Sequence, residues 1–302
     1  MNRILTYTIE KTYHGVSVET FLRKVPALTK SQIRSLKFRP EGITVNGQKV
    51  RTTAILKEGD CLALQLQPEN APSSGHILPL DLPLDILYED ADLLVINKPA
   101  GILVHPSGIH YQDTLSNMVS AYFRSKGESA PICPIGRLDK DTSGTVIFAK
   151  NKFAAAFLSD RKQSRLGKEY LAIVSGVPSP ARGEITVPIR PCSQSPLKMT
   201  VDPIDGKNAC TRFQTQAVLK NGNALIRLCL LTGRTHQIRV HMAHMGHPLI
   251  GDPLYGKGDE IFHRAALHAD RAHFLLPFTR KEYSAAAPLP EDFRKYLSEW
   301  TK

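Results

Sequence analysis

Residues 67–83 read QPENAPSSGHILPLDLP, a stretch rich in Pro, Ser, Gly and Asn. Such a composition makes a linker, because proline lacks the backbone donor and glycine and serine leave the chain unrestrained. It divides the 302 residues into a short unit, 1–66, and a long one, 84–302. An average domain takes roughly 100–200 residues, so one small and one large domain is the natural partition. At 42% hydrophobic and 22% charged, the chain can bury a core, and wholesale disorder is excluded. No apolar run approaches the ~18 residues of a membrane span. Residues 1–10 lack the apolar stretch and small-residue cleavage site of a secretory signal, so a cytoplasmic protein without membrane contact is expected.

Cysteine usage fits a reducing compartment. Cys61, Cys133, Cys192, Cys210 and Cys229 are odd in number, and no two share the spacing of a zinc or redox pair. They read as small, mostly buried hydrophobes.

Charge points to a partner. Lys plus Arg is 39 against 28 acids, a formal net charge of +11. A surface of that sign favours polyanions and speeds encounter with them. The excess is uneven: residues 1–66 hold 11 Lys/Arg against 5 Asp/Glu, +6, while the other 236 residues share +5.

Within the small unit, Val18, Phe21, Leu22 and Val25 fall at i, i+3, i+4 and i+7, one face of a helix that Pro26 interrupts. A second helix starts near Thr29 or Ser31, either able to cap it, with Ile33 and Leu36 inward. Lys30, Arg34 and Lys37 then line one outer face, a ridge able to track phosphates along a strand or simply a solvated helix face. Ile43–Val45, Asn46-Gly47 and Gln48–Val50 read as two strands around a turn needing positive φ. Leu62, Leu64 and Leu66 alternate with Cys61, Ala63 and Gln65, a half-buried strand. This succession, over roughly Val16 to Leu66, resembles the S4 RNA-binding module. The resemblance implies a small α/β domain that binds structured RNA through the second helix and the adjoining hairpin.

The large unit carries strand candidates at 93–96, 146–149, 168–174 and 224–231, with an apolar run at Ile102–Val104. Residues 113–125 and 238–245 look helical. Strands outnumber helices without strict alternation, and no internal repeat is present. An α+β fold is expected, with a large mixed, mainly antiparallel sheet flanked by helices.

One stretch stands apart: Gly136-Arg137-Leu138-Asp139-Lys140-Asp141-Thr142-Ser143-Gly144, ahead of a strand. Turn chemistry alone makes it a tight loop whose Asp139 and Asp141 carboxylates bond local backbone amides. The full run GRLDKDTSGTVIFAK, however, resembles the catalytic motif of the RluA family of pseudouridine synthases. Leu94–Gly101, Lys168–Ala172, Thr232–Gly256, Ala266–Ala269 and Ala287–Pro290 resemble further motifs in the family's order, over about residues 84–294. Many relatives have His where this chain has Gly136.

The resemblance implies isomerisation of uridine in RNA to pseudouridine, with no redox step, metal or cofactor. The motif match makes Asp139 the nucleophile. It could attack the sugar C1′, deprotonate the sugar or add to C6 of the ring. Arg239 matches the arginine that pairs with this carboxylate, which must stay ionised where water is excluded. Tyr170 matches the residue that stacks on the extruded uracil, and Leu267 the apolar floor of the pocket. Arg137 could fill the gap that the base leaves, offsetting part of an extrusion cost of a few kcal/mol. Lys98, Arg234 and His236 join Lys30, Arg34 and Lys37 as expected RNA contacts. Structured RNA is the expected partner, ribosomal (23S favoured) or transfer RNA, and a monomer is the default.

Other readings fall short. His236, His241, His244 and His247 lack an H-E-x-x-H pattern or a Cys or Glu at ligand spacing, and Arg239 disfavours a cation, so no metal is expected. Gly251–Lys257 fits a phosphate loop up to its lysine, but Gly258 stands where the magnesium-binding hydroxyl belongs. Asp141-Thr142-Ser143-Gly144 breaks the aspartic-protease pattern and has no second copy. Net charge disfavours a small-molecule isomerase. A non-catalytic RNA-binding or ribosome assembly factor is the main competitor, and Asp139, Tyr170 and Arg239 together favour the enzyme.

Overall fold

The computed structural model describes residues 3–66, 77–128 and 130–301. Residues 67–76 of the expected linker lie outside them. The small unit runs β1 (Ile4–Thr8), α1 (Val18–Lys24), α2 (Lys30–Lys37), β2 (Ile43–Val45), β3 (Gln48–Lys49) and β4 (Cys61–Gln65). Its antiparallel sheet has the order β1-β4-β2-β3. Local chemistry sets each boundary. The Ser17 side chain accepts from the Thr20 amide to start α1. Thr29 starts α2 with a capping box: its hydroxyl accepts from the Gln32 amide at 3.2 Å, and the Gln32 side chain accepts from the Thr29 amide at 2.8 Å. Asn46 and Gly47, at φ 51° and 78°, give the primed turn that matches strand twist. Phe21, Leu22, Ile33, Leu36, Leu62 and Leu64 form the core, joined by Phe153 from the large unit.

The large unit continues with β5 (Ile86–Glu89), β6 (Leu93–Lys98), α3 (Leu115–Ser125), β7 (Cys133–Ile135), β8 (Ser143–Ala149), α4 (Lys152–Ser159) and α5 (Arg161–Ser164). Then come β9 (Gly167–Val174), β10 (Arg182–Ile185), β11 (Ile189–Pro191), β12 (Met199–Val201), β13 (Thr211–Val218) and β14 (Ala224–Leu230). The chain ends with α6 (Gln237–His244), β15 (Leu267–Leu275), β16 (Glu282–Ala286) and α7 (Glu291–Trp300). Ten strands form one sheet of order β10-β13-β14-β9-β15-β8-β6-β5, with β16 on β15 and β7 on β8. Every pairing in it is antiparallel except β15 with β8. The fold is α+β, with the large, mainly antiparallel sheet that the element pattern implies.

Both faces of the sheet are covered. Leu94, Ile96, Val146 and Phe148 pack with Leu115 and Val119 of α3. Their strand neighbours Leu93, Val95, Ile147 and Ala149 pack with Ala154 and Leu158 of α4. Ile77 is 1% exposed within the first of these cores, and the Asn117 side chain donates to the Leu78 carbonyl at 2.7 Å. Residues 77 and 78 are thus fixed to the large unit.

The apolar run Ile102–Val104 is irregular; its Leu103 and Val104 carbonyls accept from the Leu115 and Ser116 amides, satisfying donors that the first turn of α3 leaves open. One expectation needs correction. The cysteines are not mostly buried: Cys61 is exposed and the other four are half-buried.

Candidate active site

The loop between β7 and β8 carries Asp139. Strand β8 enters the sheet centre there, antiparallel to β6 and parallel to β15. Gly144 sits at φ 113°, and a Cβ on it would lie 2.2 Å from the Ala269 carbonyl oxygen. Only glycine lets these two strands approach. Gly136, at φ 76°, opens the loop in the left-handed region that favours glycine.

Two cations, Lys98 buried and Arg264 partly buried, hold the loop by its backbone. Lys98 is fully buried at the end of β6, and its Nζ donates to the carbonyls of Pro99 (2.8 Å), Ile102 (2.8 Å) and Lys140 (2.9 Å). Three acceptors match the three N–H groups of an ammonium. Burial nonetheless pushes Lys98 down to about 7, with the Asp141 and Asp139 carboxylates pulling it back up and Arg264 adding to the fall. On the other side, Arg264 donates to the carbonyls of Asp141 (2.9 Å) and Leu267 (3.0 Å) and to the Ser143 hydroxyl (3.3 Å). Asp292 at the start of α7 orients it through two bonds of 2.7 and 3.1 Å.

Asp139, Tyr170, Arg239, Leu267, Arg137, Arg234 and His236 line one recess of about 50 Å³. The recess shares Asp139, Tyr170, Arg137, Arg234 and His236 with a larger cleft of about 600 Å³. Residues distant in sequence thus meet at the centre of the sheet. Tyr170, on β9, is 5% exposed. Burial and the nearby Asp139 charge raise its phenol well above the ordinary value, which keeps it neutral. Leu267 opens β15 beside Ala172. His236 caps α6 with φ 53°, its Nδ1 3.0 Å from the Tyr255 hydroxyl, and burial lowers it.

Arg239 departs from expectation in one respect. Its planar fork grips Asp252, with Nε and Nη2 each donating at 2.7 Å. Nη1 is left facing Asp139 at 3.9 Å. Asp252 is fully buried, which pushes its carboxyl up, but the Arg239 fork and the amides of Leu254 and Tyr255 outweigh that and hold it below the usual range. The Tyr255 ring packs 5.2 Å from the guanidinium. Asp139 therefore faces a guanidinium that a second carboxylate fixes from behind.

Lys98 also needs correction: an ammonium fully buried among carbonyls cannot meet RNA, and it acts on the loop instead. Lys30, Arg34 and Lys37 are exposed on α2, outside the recess. Three of the four clustered histidines are tied separately: His236 to Tyr255, His241 to Thr211 and the Val187 carbonyl, and His247 to the Ser175 carbonyl. Among the described residues no group of three or more His, Cys, Asp or Glu could hold a metal ion.

Sequence reasoning missed Asp252, Arg264 and two cations that line the larger cleft, Arg161 and Lys168. Lys168 had a signal, because a residue two before Tyr170 on a strand shares its face. Asp252 lies within a motif that carries the resemblance but reads only as part of a rejected phosphate-loop candidate. Nothing local marked Arg264 or Arg161.

The sequence pattern of the RNA pseudouridylate synthase family matches residues 92–244. The chain is 40% identical over 254 residues to the Bacillus subtilis protein named RNA pseudouridine synthase YhcT, covering 83% of each chain. It is 34% identical over 311 residues to ribosomal large subunit pseudouridine synthase D of Yersinia pestis, covering 97% of this chain and 94% of the relative. Among solved structures, human RNA pseudouridylate synthase domain containing 1 aligns with a TM-score of 0.56 and 29% identity, over 69% of this chain and 84% of that one.

Proposed function

The chain belongs to the RNA pseudouridine synthase family, and from that premise we propose that the recess takes an extruded uridine with Asp139 as the nucleophile. The enzyme isomerises uridine in RNA to pseudouridine: a glycosidic C–N bond breaks, the uracil turns and a C–C bond forms. The observation that carries the assignment of residues is the convergence of Asp139, Tyr170, Arg239 and Leu267 on one recess.

The geometry supports the roles that the motif resemblance implies. Asp139 supplies a carboxylate to the reacting nucleoside. Arg239, braced by Asp252, offers Nη1 to balance that charge without closing on it, so the carboxylate keeps its freedom to react. Tyr170, held as a neutral phenol, gives a flat face for the uracil. Leu267 forms the apolar floor. Arg137, exposed at the mouth, reaches toward the space that the base vacates. Arg234 and His236 line the way in.

The small unit supplies affinity. Its α2 ridge of Lys30, Arg34 and Lys37 supports an S4-like role in binding structured RNA. Large-subunit ribosomal RNA is the substrate we favour, because relatives covering most of the chain are named for it. No described helix is long and apolar enough to cross a membrane, and the cytoplasm is where the enzyme would meet that RNA.

Pseudouridine mapped chemically across total RNA, from cells with and without this gene, identifies the target. Sites lost in 23S ribosomal RNA support the reading; sites lost in transfer RNA alone replace it. Asp139→Asn, nearly isosteric, should abolish conversion and leave RNA affinity within a few-fold. Turnover above a hundredth of the wild-type rate in that variant removes the assignment of Asp139.

A further inference from the structure

Helices α4 and α5 have two sides with different tasks. On one side, Phe153 enters the core of the small unit, and Phe157 and Gln163 face Pro26 and Thr29 across a narrow gap. Arg280 clasps this junction, its guanidinium 4.0 Å over the Phe157 ring and donating to the Pro26 carbonyl at 3.0 Å. Arg3 adds a second clasp, a two-bond pair with Asp92 at 2.7 and 2.8 Å. The α2 ridge starts at Lys30, directly after this contact. On the other side, Ser159 and Arg161 line the catalytic cleft.

Among the described residues, the Arg161 and Lys168 cations of that cleft wall form no ion pair with a carboxylate. Arg161 bonds the Leu230 and Leu231 carbonyls at 3.3 Å each. Lys168, beside it and half-buried, has a single long contact of 3.5 Å to the Ile135 carbonyl. Burial pushes Lys168 down to about 8, and the Arg161 charge adds to the effect. Of the residues lining the cleft, Asp139 is the sole carboxylate, against Arg137, Lys140, Arg161, Lys168 and Arg234. Two neighbouring cations, one sunk in the wall, repel each other until an anion lies between them. Lys168 stands two residues from Tyr170 on the same strand face, about 7 Å along β9, the scale of the separation between a base and its own phosphate.

We propose that Arg161 and Lys168 form a phosphate subsite for the RNA backbone beside the extruded uridine. The proposal rests on the recess being the uridine site. The subsite joins the α2 ridge to the recess across α4 and α5, so that one RNA molecule is held at both places in fixed register.

The test uses the full chain and transcribed 23S ribosomal RNA, with single-turnover rates read against enzyme concentration at several salt concentrations. Arg161→Gln and Lys168→Gln should each raise the half-saturating concentration about tenfold, the worth of one charge-assisted hydrogen bond. Each should flatten the salt dependence of log affinity by about one. Lys168→Arg and Arg161→Lys should restore both readouts. Unchanged half-saturation and slope overturn the proposal. So does a defect that the charge-keeping variants fail to restore, which would mark a packing role. The same RNA, retained on filters by Asp139→Asn protein with and without Lys168→Gln, reads the subsite even if Asp139 is misassigned; an unchanged slope there also overturns it.

Discussion

Lys30, Arg34 and Lys37 stand in water along α2, while Lys98 and Arg239 in the large unit are buried and hydrogen-bonded. The side chains are of the same kind, and burial divides their work. Exposed cations attract a polyanion at long range, are screened by salt, and tolerate one another's loss. Buried cations act through fixed geometry over a few ångströms, and removing a partner strands a charge or an acceptor. Under the proposed function, affinity belongs to the first region and positioning to the second. Perturbing the buried set should alter rate and stability, and perturbing the exposed set should alter binding and its salt dependence.

Within the buried set, the largest effect is expected at Asp252. Asp252→Asn removes the negative charge and one of the two acceptor oxygens that the Arg239 fork uses, loosening the guanidinium so that it can close on Asp139 or turn away. A shift of about 1 Å in such a group costs around a hundredfold in rate. Single-turnover rates at saturating RNA should fall by about that factor, with filter-binding affinity within a few-fold. A rate within twofold of wild type would show that Arg239 needs no brace.

Lys98→Met comes next. Methionine fills much of the same space but leaves the Pro99, Ile102 and Lys140 carbonyls without their donor. Unsatisfied buried acceptors cost about 1–3 kcal/mol each, partly recovered because no ammonium then needs burying. A net loss near 3 kcal/mol in urea unfolding is expected, with a rate loss of about tenfold as the Asp139 loop loosens. An unchanged urea midpoint would mean that the loop holds itself.

The exposed set was also the easier one to read from sequence. Helical spacing alone puts Lys30, Arg34 and Lys37 on one face, and Thr29 signals where the helix begins. The recess could not be read that way, because its residues come from separate strands, a loop and a short helix; a motif resemblance named them. The choice of Asp252 over Asp139 by the Arg239 fork is decided by which carboxylate the fold buries beside it. Strand β15 escaped notice because its first half is buried on both faces. His268, fully buried between the Ser143 hydroxyl and the Ala287 carbonyl, reads in sequence as a polar break. Lys98 misled for the related reason that a lysine after a buried strand is usually at the surface; here three carbonyls turn it inward.

The smallest effect on stability and rate sharpens the comparison most. Replacing Lys30, Arg34 and Lys37 together by alanine leaves the α2 core residues Ile33 and Leu36 untouched, and alanine is the strongest helix former. Stability should therefore change by less than about 0.5 kcal/mol. Removing one lysine or arginine from a phosphate flattens the salt dependence of log affinity by about one, so removing three should flatten it by about 2–3. At low salt the affinity should fall about a hundredfold or more, and the rate at saturating RNA should stay within about twofold. A fall in that saturated rate would mean that the ridge aligns the substrate as well as attracting it, and the division between exposed and buried cations would then have to move to the junction at α4 and α5.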